Sequence, residues 1–573
     1  MSDIIKGSEI LMRALIDQGV DKVFGYPGGQ IMPVYDSLYD YSDKIQHYLA
    51  RHEQGAIHAA EGFARASGKT GVVIATSGPG AMNLITGLND ALMDSTPVVA
   101  ITGQVPSTLL GKDAFQESDV VSVTLPVTKW SILVRTPEEI APAVAKAFYI
   151  ANSGRPGPVV IDIAKDAQVG MAEYRHSSCN FIRSYDPEPE IDESAIQAAA
   201  DMLNAAERPM ILSGHGVTIA GAGSELIELA EKADIPVACT MLGLSSIPTA
   251  HPLNKGMLGM HGNLGPNINT NKADVILAVG MRFDDRVTGD TGKYAPGAKI
   301  IHIDIDSSEF DKTVGSDLHI HADAKEALGR IAALVNETRH EAWVESFARH
   351  EKVETERVKK QELFPDNEDG KMHMGEVVNR VSEAFGHDAV LVTDVGQNQM
   401  FSVRYFSFSS PRSCISSGGL GTMGFGLPAS IGAKIAVPER DVVLFVGDGG
   451  LQMTIEELGM IMEYNVGVKI ILLNNNYLGN VRQWQELFFN SRYSATPMKN
   501  PDFVALANAY GIAGENVEHR DALEEAIERM KAHKGAYLLN VNIEEMGMIF
   551  PMTPGGHGVD EILLNSTEYY KPV

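Results

Sequence analysis

The chain has 573 residues, of which 44% are hydrophobic and 21% charged, and a formal net charge of −27. That length suffices for roughly three or four globular domains with sizeable cores. So negative a charge excludes an extended nucleic-acid or anionic-membrane surface, which needs a local excess of Lys and Arg, but permits small anionic substrates held by focused positive charge.

The first segment, "MSDIIKGSEILMRALIDQGV", carries Asp3 and Glu9 among its apolar residues and predicts an amphipathic helix, not a signal or transit peptide. Short Val/Ile runs then alternate with helical patterns through "KVFGYPG", "GVVIATSGPG", "PVVAITGQV" and "GPVVIDIAKD". Such alternation marks a parallel sheet with helices on both faces, and residues 1–185 are expected to form one α/β domain. The polar, Pro-containing "SYDPEPEIDESA" reads as a linker. A second block, 190–335, runs through "PMILSGHG", "IPVACTMLG", "DVILAVGMRFDDR" and "KIIHIDID". The charged, helix-prone "HEAWVESFARHEKVETERVKKQELF" separates it from a third, 370–545, with "AVLVTDVGQNQ", "DVVLFVGDGG", "VKIILLNNN" and "AYLLNVNIEE". The fold class expected is therefore α/β, with three doubly wound parallel-sheet domains. The first and third blocks share a rhythm but no repeat that aligns by eye. The tail, 546–573, lacks periodicity and is expected to be a lid or an extension.

Cys179, Cys239 and Cys414 have neither metal-ligand spacing nor an even disulfide framework, so three buried thiols in a reducing compartment are expected. With no apolar run near 18 residues, the expectation is a soluble cytoplasmic protein with no membrane and no nucleic-acid partner.

Ligands of open α/β sheets sit at the carboxyl ends of strands, beside helix N-termini. "GGLGTMG" (Gly418 to Gly424) contains a formal G-x-G-x-x-G, but its preceding strand is poor and Asp441 opens the next strand, so a nicotinamide site is disfavoured. A loop bringing backbone amides to a phosphate is the reading preferred to a structural turn. In "RHEQGAIHAAEG" the histidines His52 and His58 are wrongly spaced for zinc, and Glu53 alone reads as an ordinary carboxylate at a helix N-terminus. Asp448, between Gly447 and Gly449, ends one strand, and Asn475 follows one helix and one strand later, at the end of what should be the neighbouring strand. A carboxylate repels phosphate, whereas an Asp, an Asn amide oxygen, a backbone carbonyl and diphosphate oxygens together suit Mg²⁺.

Gly-Asp-Gly followed at this distance by Asn-Asn resembles the diphosphate-and-metal motif of thiamine diphosphate enzymes. Across its whole length the chain looks most like the catalytic subunits of the acetohydroxyacid (acetolactate) synthase family. The stretches that carry the resemblance are "VFGYPGG", "RHEQ", "TSGPGAMN", "DAFQE", "SGRPGPV", "GMLGMHG", "RFDDRVTG", "SGGLGTMGFGLPA", "GDG" and "NNNYLGNVRQWQ". The resemblance implies a first domain that binds the aminopyrimidine, a third that binds the diphosphate, and a central Rossmann-like domain that holds FAD. It also implies a cofactor spanning two subunits, hence a homodimer or homotetramer, with a small regulatory subunit as a further partner.

On the same basis Glu53 matches the carboxyl that hydrogen-bonds the aminopyrimidine and relays its proton. Asp448 and Asn475 match the Mg²⁺ ligands, with the backbone carbonyl of Tyr477 as the third. Val395, in "DVGQNQ" with Gly396 and Gln397, matches the carbonyl that accepts from the aminopyrimidine; Met423 matches the wedge that keeps the cofactor bent, for which Gly421 leaves room. Gly447, Gly449, Gly450 and Gly479 complete the cofactor-binding set. Arg286 matches the guanidinium that holds the acceptor carboxylate, and Trp484 the residue that favours 2-oxobutyrate. Gln116, its neighbour Phe115 and Gly29 match residues near the reaction centre. FAD contacts are implied at Arg155, at Gly214 and Gly216, at Thr240, at Met260 and His261, at Gly280, Arg282 and Asp284, and at Asp304 and Asp323. Pyruvate would be decarboxylated and its two-carbon unit added to a second pyruvate or to 2-oxobutyrate, with FAD structural and not a redox carrier. Asn480, Asn398 and His215 depart from the family pattern, where Met, His and Gly are common. The rivals are a catabolic acetolactate synthase without FAD, a pyruvate oxidase, and a non-catalytic scaffold that kept the fold.

Overall fold

A computed structural model describes residues 3–366 and 370–571. Three six-stranded parallel sheets follow one another along the chain. Their central strands, such as Gly71–Ala75, Val275–Val279 and Val442–Gly447, are apolar runs buried between helices on both faces, so they need no polar alternation.

The first sheet is ordered Gln46–Leu49, Lys22–Gly25, Gly71–Ala75, Val98–Gln104, Val159–Ala164, Trp130–Val134. The third is ordered Cys414–Ile415, Val390–Thr393, Val442–Gly447, Lys469–Asn474, Tyr537–Asn542, Ala513–Val517. Numbered along the chain within each sheet, both read 2-1-3-4-6-5. The two domains are thus topological duplicates, although their sequences align nowhere by eye. The middle sheet reads 3-2-1-4-5-6, the dinucleotide-binding order, with Pro209–Ser213 and Val275–Val279 flanking the point where the order reverses.

Two helices join the first and third domains. Glu53–Ser67 is capped by His52, whose Nδ1 accepts the amide of Gln54 at 3.1 Å, and ends on Gly68 in the left-handed region. It crosses Gly426–Ala436 so closely that a Cβ on Gly62 would stand 2.0 Å from the carbonyl oxygen of Ala429, and one on Gly432 1.8 Å from that of Ala59. Only glycine permits that backbone approach.

The tail packs onto the middle domain. Ile549, Met552 and Ile562 are buried, the amide of Thr553 donates to the carbonyl of Met260 at 2.7 Å, and that of Asp290 to His557 at 2.9 Å. Among the cysteines only Cys239 is fully buried; Cys179 and Cys414 are half-buried, which corrects the expectation of three core thiols. Cys179 lies in the irregular chain that leaves the first domain, where no second layer covers it.

Candidate functional site

The residues singled out in the sequence fall into three groups. The first stands at the carboxyl ends of the first sheet. Glu53 opens its helix and its Oε2 accepts from Asn83 Nδ2 at 2.9 Å. A Cβ on Gly80 would come within 3.2 Å of Glu53 Oε1, and one on Gly78 within 2.9 Å of the carbonyl of Gln116. Gln116 itself sits at φ 60°, and the exposed Gly29 accepts from Lys165 Nζ at 3.2 Å through its carbonyl. Phe115 is 83% exposed, an apolar ring left without cover by this chain.

The second group is built on two paired strands of the third sheet. Gly447 lies opposite Leu473 in the parallel ladder, so Asp448 and Asn475 leave neighbouring strand ends. Asp448 begins the helix Asp448–Met453 and is 1% exposed; Asn475 is 3% exposed. Asp448 Oδ2 accepts from Asn500 Nδ2 at 2.6 Å, and among the described residues no Lys, Arg or His pairs with it. Burial pushes its carboxyl up to about 6. A buried carboxylate flanked by amide oxygens and lacking a cationic partner is a donor set that a divalent cation fits.

Asn475 Oδ1 accepts the amide of Tyr477 at 3.1 Å. Asn500, which sequence reasoning missed, also reaches Asn474 Oδ1 at 3.0 Å and Asn476 Oδ1 at 3.2 Å, so one amide ties both strand ends together. It stands in "KNPDF", where nothing distinguishes it from an ordinary turn residue before Pro. The glycines have different causes: a Cβ on Gly450 would meet Asp394 Oδ1 at 2.3 Å, and one on Gly479 would meet Gln397 Oε1 at 2.3 Å. Gly449 leaves room for Leu478 and faces Met423.

The glycine-rich loop corrects a sequence expectation. The amides of Gly418, Gly419 and Gly424 do not point at an open anion site, because carboxylates already hold them. Asp94, from the first domain, accepts from Gly418 and Gly419 at 2.8 and 2.7 Å, and Asp394 accepts from Gly424 at 3.0 Å and Gly426 at 2.9 Å. Asp94 is in turn held by Arg65 Nη2 at 3.0 Å. At these positions the loop is a structural turn fixed by two buried carboxyl groups. Neither Asp94 nor Asp394 was singled out in the sequence.

The third group lines a cavity of about 540 Å³ where residues of all three domains meet. Arg155, Gly216, Thr240, Met260, His261, Gly280, Arg282, Asp284, Asp304 and Asp323 all border it, as do Val395, Gly421, Asn480, Trp484 and Arg286. Gly214 does not; a Cβ there would stand 2.1 Å from the carbonyl of Gly280, so its part is the tight contact of two strand-end loops at the middle sheet's switch point. Neither Glu53 nor Asp448 borders this cavity.

The cavity's chemistry suits a large polar cofactor. The Nδ1 of His261 is buried without a partner among the described residues, and burial pushes that imidazole down to about 3, keeping it neutral. Asp304, at the end of the strand Lys299–Asp304, is pushed up to about 7 by burial. Asp323 caps the helix Ala324–Leu334. Arg155 differs: Glu309 at 2.7 Å and Ser95 Oγ at 2.9 Å already engage its guanidinium.

Arg286 is held at its backbone by the Asp284 carboxylate at 2.9 Å, while its side chain is 65% exposed and only 3.7 Å from Met260 Sδ and 3.8 Å from Asp285. That fork is open to a carboxylate ligand. Trp484 stacks on Phe488, ring centroids 5.3 Å apart, on the helix Gly479–Phe488. Of the departing residues, Asn398 donates to the carbonyl of Val395 at 3.0 Å, leaving that oxygen one lone pair for a ligand. His215 bonds the carbonyl of Asp94 at 3.0 Å.

Comparison with known proteins finds three family models in chain order. Residues 5–123 match the N-terminal TPP binding domain of thiamine pyrophosphate enzymes, 196–331 their central domain, and 394–541 their C-terminal TPP binding domain. The chain is 43% identical to the acetolactate synthase isozyme 3 large subunit of Escherichia coli (strain K12), over 99% of this chain and 100% of that one. It is 43% identical to the isozyme 2 large subunit of the same organism, over 98% and 99%. With the acetolactate synthase large subunit of Lactococcus lactis subsp. lactis (strain IL1403) it shares 41% identity over 97% and 96%.

Proposed function

Because the chain belongs to the acetolactate synthase large-subunit family of thiamine pyrophosphate enzymes, we propose that it joins the two-carbon unit of pyruvate to a second 2-oxo acid, giving 2-acetolactate from pyruvate or 2-aceto-2-hydroxybutyrate from 2-oxobutyrate. The observation that carries this is the pair Asp448 and Asn475, buried at adjacent strand ends of the matched C-terminal TPP binding domain.

Thiamine diphosphate, when bound, supplies the carbon nucleophile and the electron sink for decarboxylation. Asp448, Asn475 and the carbonyl of Tyr477 would hold Mg²⁺, which would neutralise charge on the diphosphate. The carbonyl of Val395 would accept from the pyrimidine's amino group, and Met423 would pack against the ring system, with Gly421 giving clearance. Glu53, oriented by Asn83, holds and returns the proton that the pyrimidine needs to act as a base. Arg286 grips the acceptor's carboxylate by a two-pronged contact, Trp484 walls the space beside its alkyl group, and Gln116, Phe115 and Gly29 approach the reacting carbonyl.

FAD would fit the cavity where the three domains meet, in which His261 offers a nitrogen without a partner among the described residues and Asp304 a carboxyl. Carbon–carbon transfer needs no net electron transfer, so its part is structural. We set the domain limits at 1–185, 190–335 and 370–545. Glu53 and Asp448 lie in different domains, and each active site takes them from two chains of a homodimer or homotetramer. The relatives are named large subunits, which supports a small regulatory partner here too. Among the described residues no helix is long and apolar enough to cross a membrane.

The test is product analysis with pyruvate and 2-oxobutyrate in competition, with and without thiamine diphosphate, Mg²⁺ and FAD. Acetohydroxy acids that require the first two cofactors support the reading. Flavin reduction coupled to pyruvate turnover would move it to an oxidase, and no turnover to a scaffold.

A further inference from the structure

Glu457 is a buried carboxylate of the third domain with no part in the chemistry above. It follows Asp448 by one helix, Asp448–Met453, and one 3-10 turn, Ile455–Glu457. Its side chain crosses to the first domain: Oε1 and Oε2 accept the amide of Arg51 at 3.0 and 3.1 Å, and Oε1 accepts that of His52 at 3.0 Å. These are the two residues before Glu53. A Cβ on Gly55 would stand 2.1 Å from Glu457 Oε1, so glycine is what admits the carboxylate against the first turn of that helix.

The residues around it tighten the same joint. The Tyr464 hydroxyl accepts the amide of Leu49 at 2.8 Å, and Arg51 Nη2 pairs with Glu463 at 2.7 Å. On the other side Thr454 Oγ1 donates to the carbonyl of Gly424 at 2.8 Å, next to Met423. One short segment, 448–457, therefore touches the metal-site strand end, the loop that bears Met423, and the N-terminus of the helix that bears Glu53.

We propose that Glu457 is a positioning residue for Glu53: by fixing the amides of Arg51 and His52 to the segment that starts at Asp448, it sets the direction of the Glu53 carboxyl. Since Glu53 and Asp448 of one chain serve different active sites in the reading above, on which this inference rests, these hydrogen bonds also link the two sites of a dimer through a single chain. An anion at a helix N-terminus satisfies amides that have no helical partner, and a fixed first turn leaves the side chain of its first residue few directions. Losing that grip leaves substrate binding intact and costs proton transfer, which depends on placement within tenths of an ångström.

The experiment compares Glu457→Ala, Glu457→Gln, Gly55→Ala and the double variant Gly55→Ala/Glu457→Ala, with Glu53→Gln as control, all as the full-length oligomer with thiamine diphosphate, Mg²⁺ and FAD. Expected for Glu457→Ala is a fall in kcat of at least tenfold with KM for pyruvate within twofold, a matching slowing of deuterium exchange at the cofactor's C2 position, and faster amide exchange at 50–54 in cofactor-free protein. Glu457→Gln keeps Oε1 as acceptor and should retain most of kcat. Gly55→Ala should reproduce the loss by displacing the carboxylate, and the double variant should be no worse than the poorer single one. If Glu457→Ala fails to fold, Gly55→Ala decides alone. Native C2 exchange and kcat in the folded variants, with Glu53→Gln inactive, overturn the positioning role and spare the assignment of Glu53. An active Glu53→Gln overturns both.

Discussion

The carboxylate of Asp94, in the first domain, accepts the amide of Gly419, in the third, at 2.7 Å. The same carboxylate takes the amide of Gly418 and pairs with Arg65 Nη2 at 3.0 Å, with both side chains buried. Asp90 shares that guanidinium at 3.3 Å and accepts from Thr422 Oγ1 at 2.8 Å. Three charged groups, Asp94, Asp90 and Arg65, thus hold a loop that a sequence pattern assigned to phosphate.

Removing Asp94 takes the acceptor from the amides of Gly418 and Gly419, while Arg65 keeps Asp90 at 3.3 Å and Glu61 at 3.4 Å; a buried donor left without its acceptor costs about 1–3 kcal/mol. Asp94→Ala is therefore expected to lower the first unfolding transition in guanidinium or heat. It should also reduce the FAD retained on purification, since Asp94 borders the cavity. Unchanged unfolding and unchanged flavin content would show that the loop holds its shape without this anion.

Asp448→Asn keeps the shape of the metal site and removes its charge. Binding of thiamine diphosphate, followed by protein fluorescence as Mg²⁺ is titrated, should then need far more cation. Asn500→Ala leaves the charge but frees both strand ends; loss of such an orienting partner costs about 10–100-fold in metal affinity. An Mg²⁺ titration of Asn500→Ala that overlays the native curve would remove Asn500 from the site.

Arg286→Lys preserves charge and loses the planar fork. With the backbone of residue 286 fixed by Asp284, the expected result is a KM for the acceptor about tenfold higher, worth roughly 1.4 kcal/mol, with decarboxylation of the first pyruvate little changed. Equal loss in both half-reactions would mean that Arg286 acts on the donor as well.

Much of this was legible in the chain, and the limits are physical. Strands such as Val442–Gly447 and Lys469–Asn474 announce themselves as continuous apolar runs, and one helix between two parallel strands forces Asp448 and Asn475 to the same sheet edge. Duplication of the first and third sheets was not legible, because strand order depends on which edges pair and not on local pattern. Asp94, Asn500 and Glu457 were missed for one reason: each acts on backbone amides or side chains 24 to 406 residues away that packing alone brings to it, with no motif to mark the partner. The glycines of "GGLGTMG" were misread because the motif fixes a backbone shape without saying what the amides face.

Asp304 supplies a prediction in pH. Burial raises its carboxyl to about 7, so between the ordinary carboxylate range and pH 7 the folded chain binds a proton that the unfolded chain releases, and its burial costs stability as pH rises through that window. A hydroxyl donor from FAD prefers the ionised form. Affinity of the FAD-free protein for FAD should therefore be flat above pH 7 and fall by about tenfold per pH unit below it, following the ionised fraction. Asp304→Asn, which cannot ionise, should bind more weakly at pH 8 and show no such slope. A wild-type titration by flavin fluorescence quenching that is level from pH 5.5 to 8 would place the FAD hydroxyls elsewhere, with Asp323 the next carboxylate along the cavity wall.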